Sequence, residues 1–247
     1  MKKRLLYSLL LCLMAMFMCT TFTACGDDDD PTENVKTEQT ETDKENSSST
    51  EPTVTHPIAV DLGLSVKWAS CNVGARTPEE IGGHYAWGET EEKEDYTWET
   101  YKFGRERYIT KYCINSNNHN NGVADNLTTL EPCDDVAHVK WGGLWRMPTK
   151  EEQDELREEC AWEWTTINNV KGYKITGPNG NSIFLPATYN NPYWEEGYWS
   201  SSLDNNMDPW AHNIWFIYYE TDGYLSDKTR EHDGPRFAGF AVRPVCE

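Results

Sequence analysis

The sequence predicts an α+β protein in which antiparallel sheet dominates. Three observations carry this. One segment alone has the start signals of a helix; many short apolar runs are separated by turn residues; and a long polar stretch, 88–140, has no clear period. Ile58 to Trp68 places Ile58, Val60, Leu62, Leu64, Val66 and Trp68 on one parity, the two-residue period of a half-buried strand. Gly82-Gly83 precedes a second strand-like piece, Tyr85-Ala86-Trp87, and the Asn-rich Asn115–Asn121 reads as a loop. The helix opens at Pro148-Thr149. Thr149 and Glu152 form a capping box, Glu151, Asp154 and Glu155 suit the positive end of the helix dipole, and Leu156 and Cys160 share its inner face. It is expected to end near Cys160.

Strand and turn signals follow. Trp164–Thr166 and Tyr173–Thr176 flank Asn168-Asn169, and Ser182–Leu185 follows the turn Gly177-Pro178-Asn179-Gly180. Tyr198–Ser202 is a short strand. Ile214–Tyr219 is continuously aliphatic and aromatic, so it reads as a strand buried on both faces. Phe237–Val245 is largely apolar and closes the domain.

The first residues are of another kind. Lys2, Lys3 and Arg4 precede an apolar run, Leu5–Met18, and Ala24 precedes Cys25. The run is short for a membrane span and reads as a secretory signal, 1–24. The order of basic start, apolar run and Ala-Cys resembles bacterial lipoprotein signals, which implies cleavage before Cys25 and lipidation of that cysteine. Asp27–Asp30 resembles the acidic tract that sends Bacteroidetes lipoproteins to the outer leaflet of the outer membrane. The expected location is therefore the outer membrane, lipid-anchored and facing outward. Residues 25–56 are mostly Asp, Glu, Thr, Ser, Lys and Pro, with no Phe, Tyr or Trp and only Val35 and Val54 as sizeable aliphatics, a composition that cannot offset chain entropy by burial. They are expected to form a disordered stalk. All eleven tryptophans lie between Trp68 and Trp215, and 57–247 is long enough for one domain with a substantial core.

The formal net charge is -19; removing 1–25 takes Lys+Arg from 22 to 19 against 41 Asp+Glu. That sign argues against nucleic acid and anionic lipid headgroups as partners. The domain's cysteines, Cys71, Cys113, Cys133, Cys160 and Cys246, are odd in number and contain no CxxC pair. One or two disulfides fit, with at least one thiol left over, and neither a zinc nor a thioredoxin-type motif is indicated.

The ordered segments VDLGLSVKWASCNVGA (60–75), GGHYAWGET (82–90), GGLWRMPTKEEQDEL (142–156), CAWEWTTINNVKGYKITGPNGNSIFLPA (160–187), GYWSSS (197–202) and RFAGFAVRPV (236–245) resemble the Fibrobacter succinogenes major paralogous domain family. The resemblance covers nearly all of 57–247. It implies a C-type-lectin-like fold, shared with formylglycine-generating and sulfatase-modifying enzymes, with a twisted antiparallel sheet, few helices and long irregular loops. The closing pattern also resembles the targets of diversity-generating retroelements, which implies a ligand-binding face over Leu203–Pro235. The formylglycine-generating relatives use a pair of late cysteines with copper, whereas Cys246 alone follows Cys160 here. No GxSxG, HExxH, phosphate-loop or GxGxxG motif is present. A non-enzymatic domain without cofactor or metal is the expectation.

Candidate ligand-binding residues are Tyr193, Trp194, Trp210 and Tyr219, with Tyr218 alongside, and the polar Asp204, Asn205, Asn206, Asp208, His212, His232 and Asp233. Aromatic faces stack on sugar C–H groups or anchor interfaces, while Asn and Asp read hydroxyls. Trp199, Trp215, Phe216, Phe237 and Phe240 are assigned to the core. Arg146, with Arg236 and Arg243, reads as a buried arginine paired with an acid; Asp134, Asp135 and His138 read as a solvated loop. The expected function is recognition of an extracellular glycan or protein. A subunit of a surface assembly and an enzyme with a dispersed acid pair are the alternatives.

Overall fold

The computed structural model describes residues 57–118, 121–190, 193–219 and 230–247. The signal, Cys25 and the stalk lie outside the described residues. Among the described residues, no helix is long and apolar enough to cross a membrane.

The domain is α+β, with small antiparallel sheets and short helices. In chain order the elements are β1 (Ala59–Val60), β2 (Lys67–Ala69), β3 (Gly104–Arg105), β4 (Tyr108–Ile109), α1 (Val136–Trp141), α2 (Lys150–Glu159), β5 (Ala161–Ile167), β6 (Val170–Thr176), β7 (Ser182–Pro186), β8 (Thr188–Asn190), β9 (Tyr193–Leu203), β10 (Trp210–Tyr219), β11 (Arg230–Pro235) and β12 (Val245–Cys246). A 3-10 turn, Pro132–Asp134, leads into α1.

Local signals placed several elements correctly. Thr149 caps α2 reciprocally with Glu152, and the helix runs to Glu159. Asn168 and Asn169 both take positive φ, 49° and 67°, the left-handed pair that a tight hairpin between β5 and β6 requires. The 177–180 turn closes with Gly180 N donating to Gly177 O.

Other expectations are corrected. The alternating 58–68 segment is two short strands, because Asp61 accepts from Gly63 N and Gly63 takes φ 79°. Val66 and Trp68 are buried, but Ile58 is exposed. Residues 237–244 form no regular strand. They thread through the domain instead: Phe240 pairs with Tyr85, Val73 N donates to Val242 O, and Ala241 bridges Tyr198. β12 then joins β2, which also pairs with β1, so both ends of the domain meet in one sheet. Asp134 and Asp135 are buried rather than solvated. Asp135 caps α1 through Ala137 N and His138 N and also accepts from Met147 N. All five domain cysteines are free thiols.

The β8–β11 sheet has a core on each side. Tyr198, Ile214 and Phe216 pack with Tyr173, Ile175, Ile183 and Leu185 of the β5–β7 sheet and Leu156 of α2. Trp199 and Ala211, of the other parity, pack with Tyr85, Trp87 and Val242.

Arg146 pairs with Glu152 at 2.6 Å, as expected. Arg146 stays half-buried, whereas Arg236 and Arg243 are buried and, among the described residues, neither meets a carboxylate. Arg236 donates to the carbonyls of Lys111, Tyr112 and Asp208 and to the Tyr101 hydroxyl, with its guanidinium 4.8 Å from the Trp87 ring centroid. Arg243 donates to Asn72 Oδ1, Ala69 O and Phe184 O. Burial lowers the Arg243 pKa to about 10, which still leaves it charged at neutral pH.

Candidate functional site: an aromatic cleft on the four-stranded sheet

A cavity of about 610 Å³ opens on the Trp199 face of the β8–β11 sheet. Its size suits a small ligand. His84, Thr188, Glu195, Glu196, Gly197, Trp215, Gly234, Pro235, Gly239 and Phe240 line it.

Glycines shape its floor. A Cβ on Gly197 would fall 2.7 Å from the Phe240 ring, and one on Gly234 would fall 2.8 Å from it. Their bareness lets Phe240 lie flat on the sheet, with its centroid 4.5 Å from that of Trp199. Gly239 does the same for Tyr96, whose hydroxyl donates to His84 O at 2.6 Å. Trp215 shares the parity of Trp199 on the adjoining strand and stays half-buried. Phe240 also stays half-buried, so two aromatics assigned to the core from sequence form cleft walls instead.

A polar group stands at one end. His84 Nε2 lies 3.1 and 3.3 Å from the two oxygens of Glu196. Thr188 Oγ1 donates to Glu196 at 2.9 Å, and Gly197 N donates at 3.1 Å. The Glu196 hydrogen bond raises the His84 pKa against the opposing effect of partial burial. Glu196 is 5% exposed and His84 35%, so the pair is held by protein but reached from solvent.

One further side chain here has no partner among the described residues. Asn213 is 2% exposed, and both its Nδ2 and Oδ1 lack hydrogen bonds. It sits behind Gly234: a Cβ on that glycine would lie 2.9 Å from Asn213 Nδ2. A buried amide left unpaired is costly and uncommon.

The residues expected from sequence are not gathered into one face. Trp194 lies on the opposite side of the sheet, packed on the Tyr173 core with the Lys171 ammonium 5.3 Å from its ring. Tyr218 stacks on Trp164 at 4.4 Å and 19°. Trp194 pairs with Tyr218 across β9 and β10, while Trp210 begins β10. Eight residues of strand put Trp210 about 27 Å from that pair. Asp204 and Asp208 are buried in loop-holding roles. Asp208 accepts from Ile114 N, Asn115 N, Asn118 Nδ2 and the Cys113 thiol; Asp204 accepts from Asn206 N. Burial pushes the Cys113 thiol up to about 12. Asn205 and Asn206 are exposed.

His212 and Asp233 do meet, at 2.5 Å, across β10 and β11. His212 and Asn205 share a cavity of about 120 Å³ beside Thr149 and Lys150, too small for a sugar ring. The side chains of Tyr193, Tyr219 and His232 lie outside the described residues; in the backbone, His232 pairs with Asn213.

Among the described residues, one group could offer metal ligands, Glu131, Cys133 and Asp134. Lysines already fill the place. Lys102 and Lys111 lie 2.7 and 2.6 Å from the Asp134 oxygens, Lys111 also meets Glu131, and Tyr112 donates to Asp134 at 2.7 Å.

Compared with models of protein families, with curated proteins and with solved structures, the chain matches none of them.

Proposed function

We propose that this chain is a lipid-anchored outer-membrane lipoprotein whose 57–247 domain, of C-type-lectin-like fold, binds an extracellular glycan without catalysis. The observation that carries the binding half is the cleft. Two half-buried aromatic walls, Trp215 and Phe240, face a polar end made by Thr188, Glu195, Glu196 and His84. Aromatic faces accept the C–H faces of a pyranose, and fixed carboxylates and hydroxyls read its oxygens. The lipoprotein half rests on the order of basic start, apolar run, Ala24-Cys25 and Asp27–Asp30. The β8–β11 sheet and the threaded 236–245 segment support the family resemblance, because GYWSSS and RFAGFAVRPV form the centre of the domain.

The recognition site in this reading moves from the Trp194–Trp210 surface to the cleft. Part of the 203–235 segment still serves it, through Trp215, Gly234 and Pro235.

Glycan-array binding by the full chain, followed by Trp215→Ala with the circular dichroism spectrum checked, tests the site. A loss of about tenfold or more in affinity is expected, since the indole supplies a wall of the cleft. Unchanged affinity would remove the cleft from the function. For the anchor, Cys25→Ser should move the protein from the membrane fraction to the soluble one. Retention on the membrane would rule out lipidation at Cys25.

A further inference from the structure

We infer that the loop after α1 is a membrane-contact site: Leu144 and the Trp141–Trp145 pair dock the domain on the electrically neutral surface of the bilayer that anchors it. The inference rests on the lipid anchor proposed at Cys25 and adds which part of the domain meets the lipid. Leu144 is 71% exposed in this loop, and Val139 of α1 is exposed too. Trp141 and Trp145 flank it, half-buried and edge to face with centroids 5.4 Å apart. Gly142 and Gly143 take φ 66° and 60°, and a Cβ on either would meet no atom within 4 Å, so the turn stands clear of the domain on that side. An exposed aliphatic side chain between two indoles suits the headgroup boundary, where tryptophan keeps its ring in the apolar layer and its N–H in the polar one.

Two observations name a neutral bilayer as the occupant. The first is charge. Segment 136–149 holds no Asp or Glu, in a chain with 41 of them. Its lysine and arginine are already paired, Lys140 with Glu91 at 3.2 Å and Arg146 with Glu152 at 2.6 Å. Glu247 lines the hollow beside Leu144, within reach of the Arg146 charge. An apolar loop on an acidic domain fits zwitterionic headgroups, whereas anionic ones repel the domain. The second is placement. Arg146 bridges Val245, Val245 pairs with Trp68 and Trp68 with Val60, a row about 14 Å across the ladder. The chain from Cys25 enters the domain at β1, so tether and loop reach one sheet from its two edges. Ile58, beside that entry, is also 71% exposed. Anchoring makes docking intramolecular, so a contact too weak to recruit a free domain is populated in a tethered one.

The lipidated full chain in phosphatidylcholine vesicles, with and without bromine on the acyl chains, tests this by tryptophan emission, because bromine quenches indoles that reach the acyl boundary. Bromination should lower the emission of wild type. Leu144→Glu should abolish that loss and leave the circular dichroism spectrum unchanged. Adding phosphatidylglycerol should reduce the quenching; an increase would overturn the neutral-surface assignment. A chain that floats with the vesicles yet shows no quenching overturns the docking inference and leaves the anchor standing. If such a chain also has the mass of two copies in detergent, the loop belongs to a contact between copies instead. Quenching that persists in Leu144→Glu overturns the inference as well, since another surface then meets the lipid. A chain that does not float with the vesicles overturns anchor and docking together.

Discussion

His84 illustrates how one side chain couples packing to pH. Glu196 from β9 and Glu92 from the 88–99 loop both favour its charged form, while partial burial opposes it. The folded pKa is raised above the usual 6.5. Its charge-dependent stabilisation is therefore fully present below the unfolded value and is lost as pH rises through the folded one. Denaturation of wild type and His84→Gln should differ most below pH 6.5 and converge as pH rises through the raised folded value; a constant difference would show that the ion pair contributes nothing. Arg236 and Arg243 mark the limit of residue-level reading. An arginine inside an apolar run signals burial, and both are buried. Several of their partners, such as the carbonyls of Tyr112 and Ala69, come from segments more than a hundred residues away, which no spacing in the chain announces.

The elements differ in how much of their cause is local. α2 and the β5–β6 hairpin were legible, because a capping box and an Asn-Asn turn are complete within a few residues. α1 was not: six residues give no period, and its cap, Asp135, is fixed by Met147 N from beyond the helix. That difference is measurable. Thr149→Ala removes one exposed-side cap and should cost about 1 kcal/mol. Asp135→Ala removes a cap and also leaves the buried Met147 N–H unpaired, so about 2–3 kcal/mol is expected. Equal costs in chemical denaturation would mean that the Met147 contact carries no weight. The cleft was hidden for the same reason as α1. His84, Glu196, Trp215, Gly234 and Phe240 are scattered over the sequence, and only the threaded 236–245 segment lays Phe240 on Gly197. Trp215 and Phe240 are residues of core type, and their half-burial depends on what the fold packs over them rather than on the side chain.

At the scale of the molecule, the β1-β2-β12 sheet and the 236–245 thread tie the domain together. Val245 is fully buried against Trp68 and pairs with Arg146. Deleting 244–247 removes that valine and the backbone bonds to Ala69 and Arg146, so a loss of about 3 kcal/mol or more is expected. A deletion variant with unchanged urea midpoint would show that the sheet merely decorates the fold. The same threading also sets an order in time. A growing chain presents β1 and β2 early, yet β2 lacks β12 on its other edge until residue 245 has been made, and Tyr85 and Trp199 wait for Phe240 and Ala241. No N-terminal portion of the domain can finish its core during synthesis. The chain must stay open until nearly all of it has emerged, and closes as a late, concerted event.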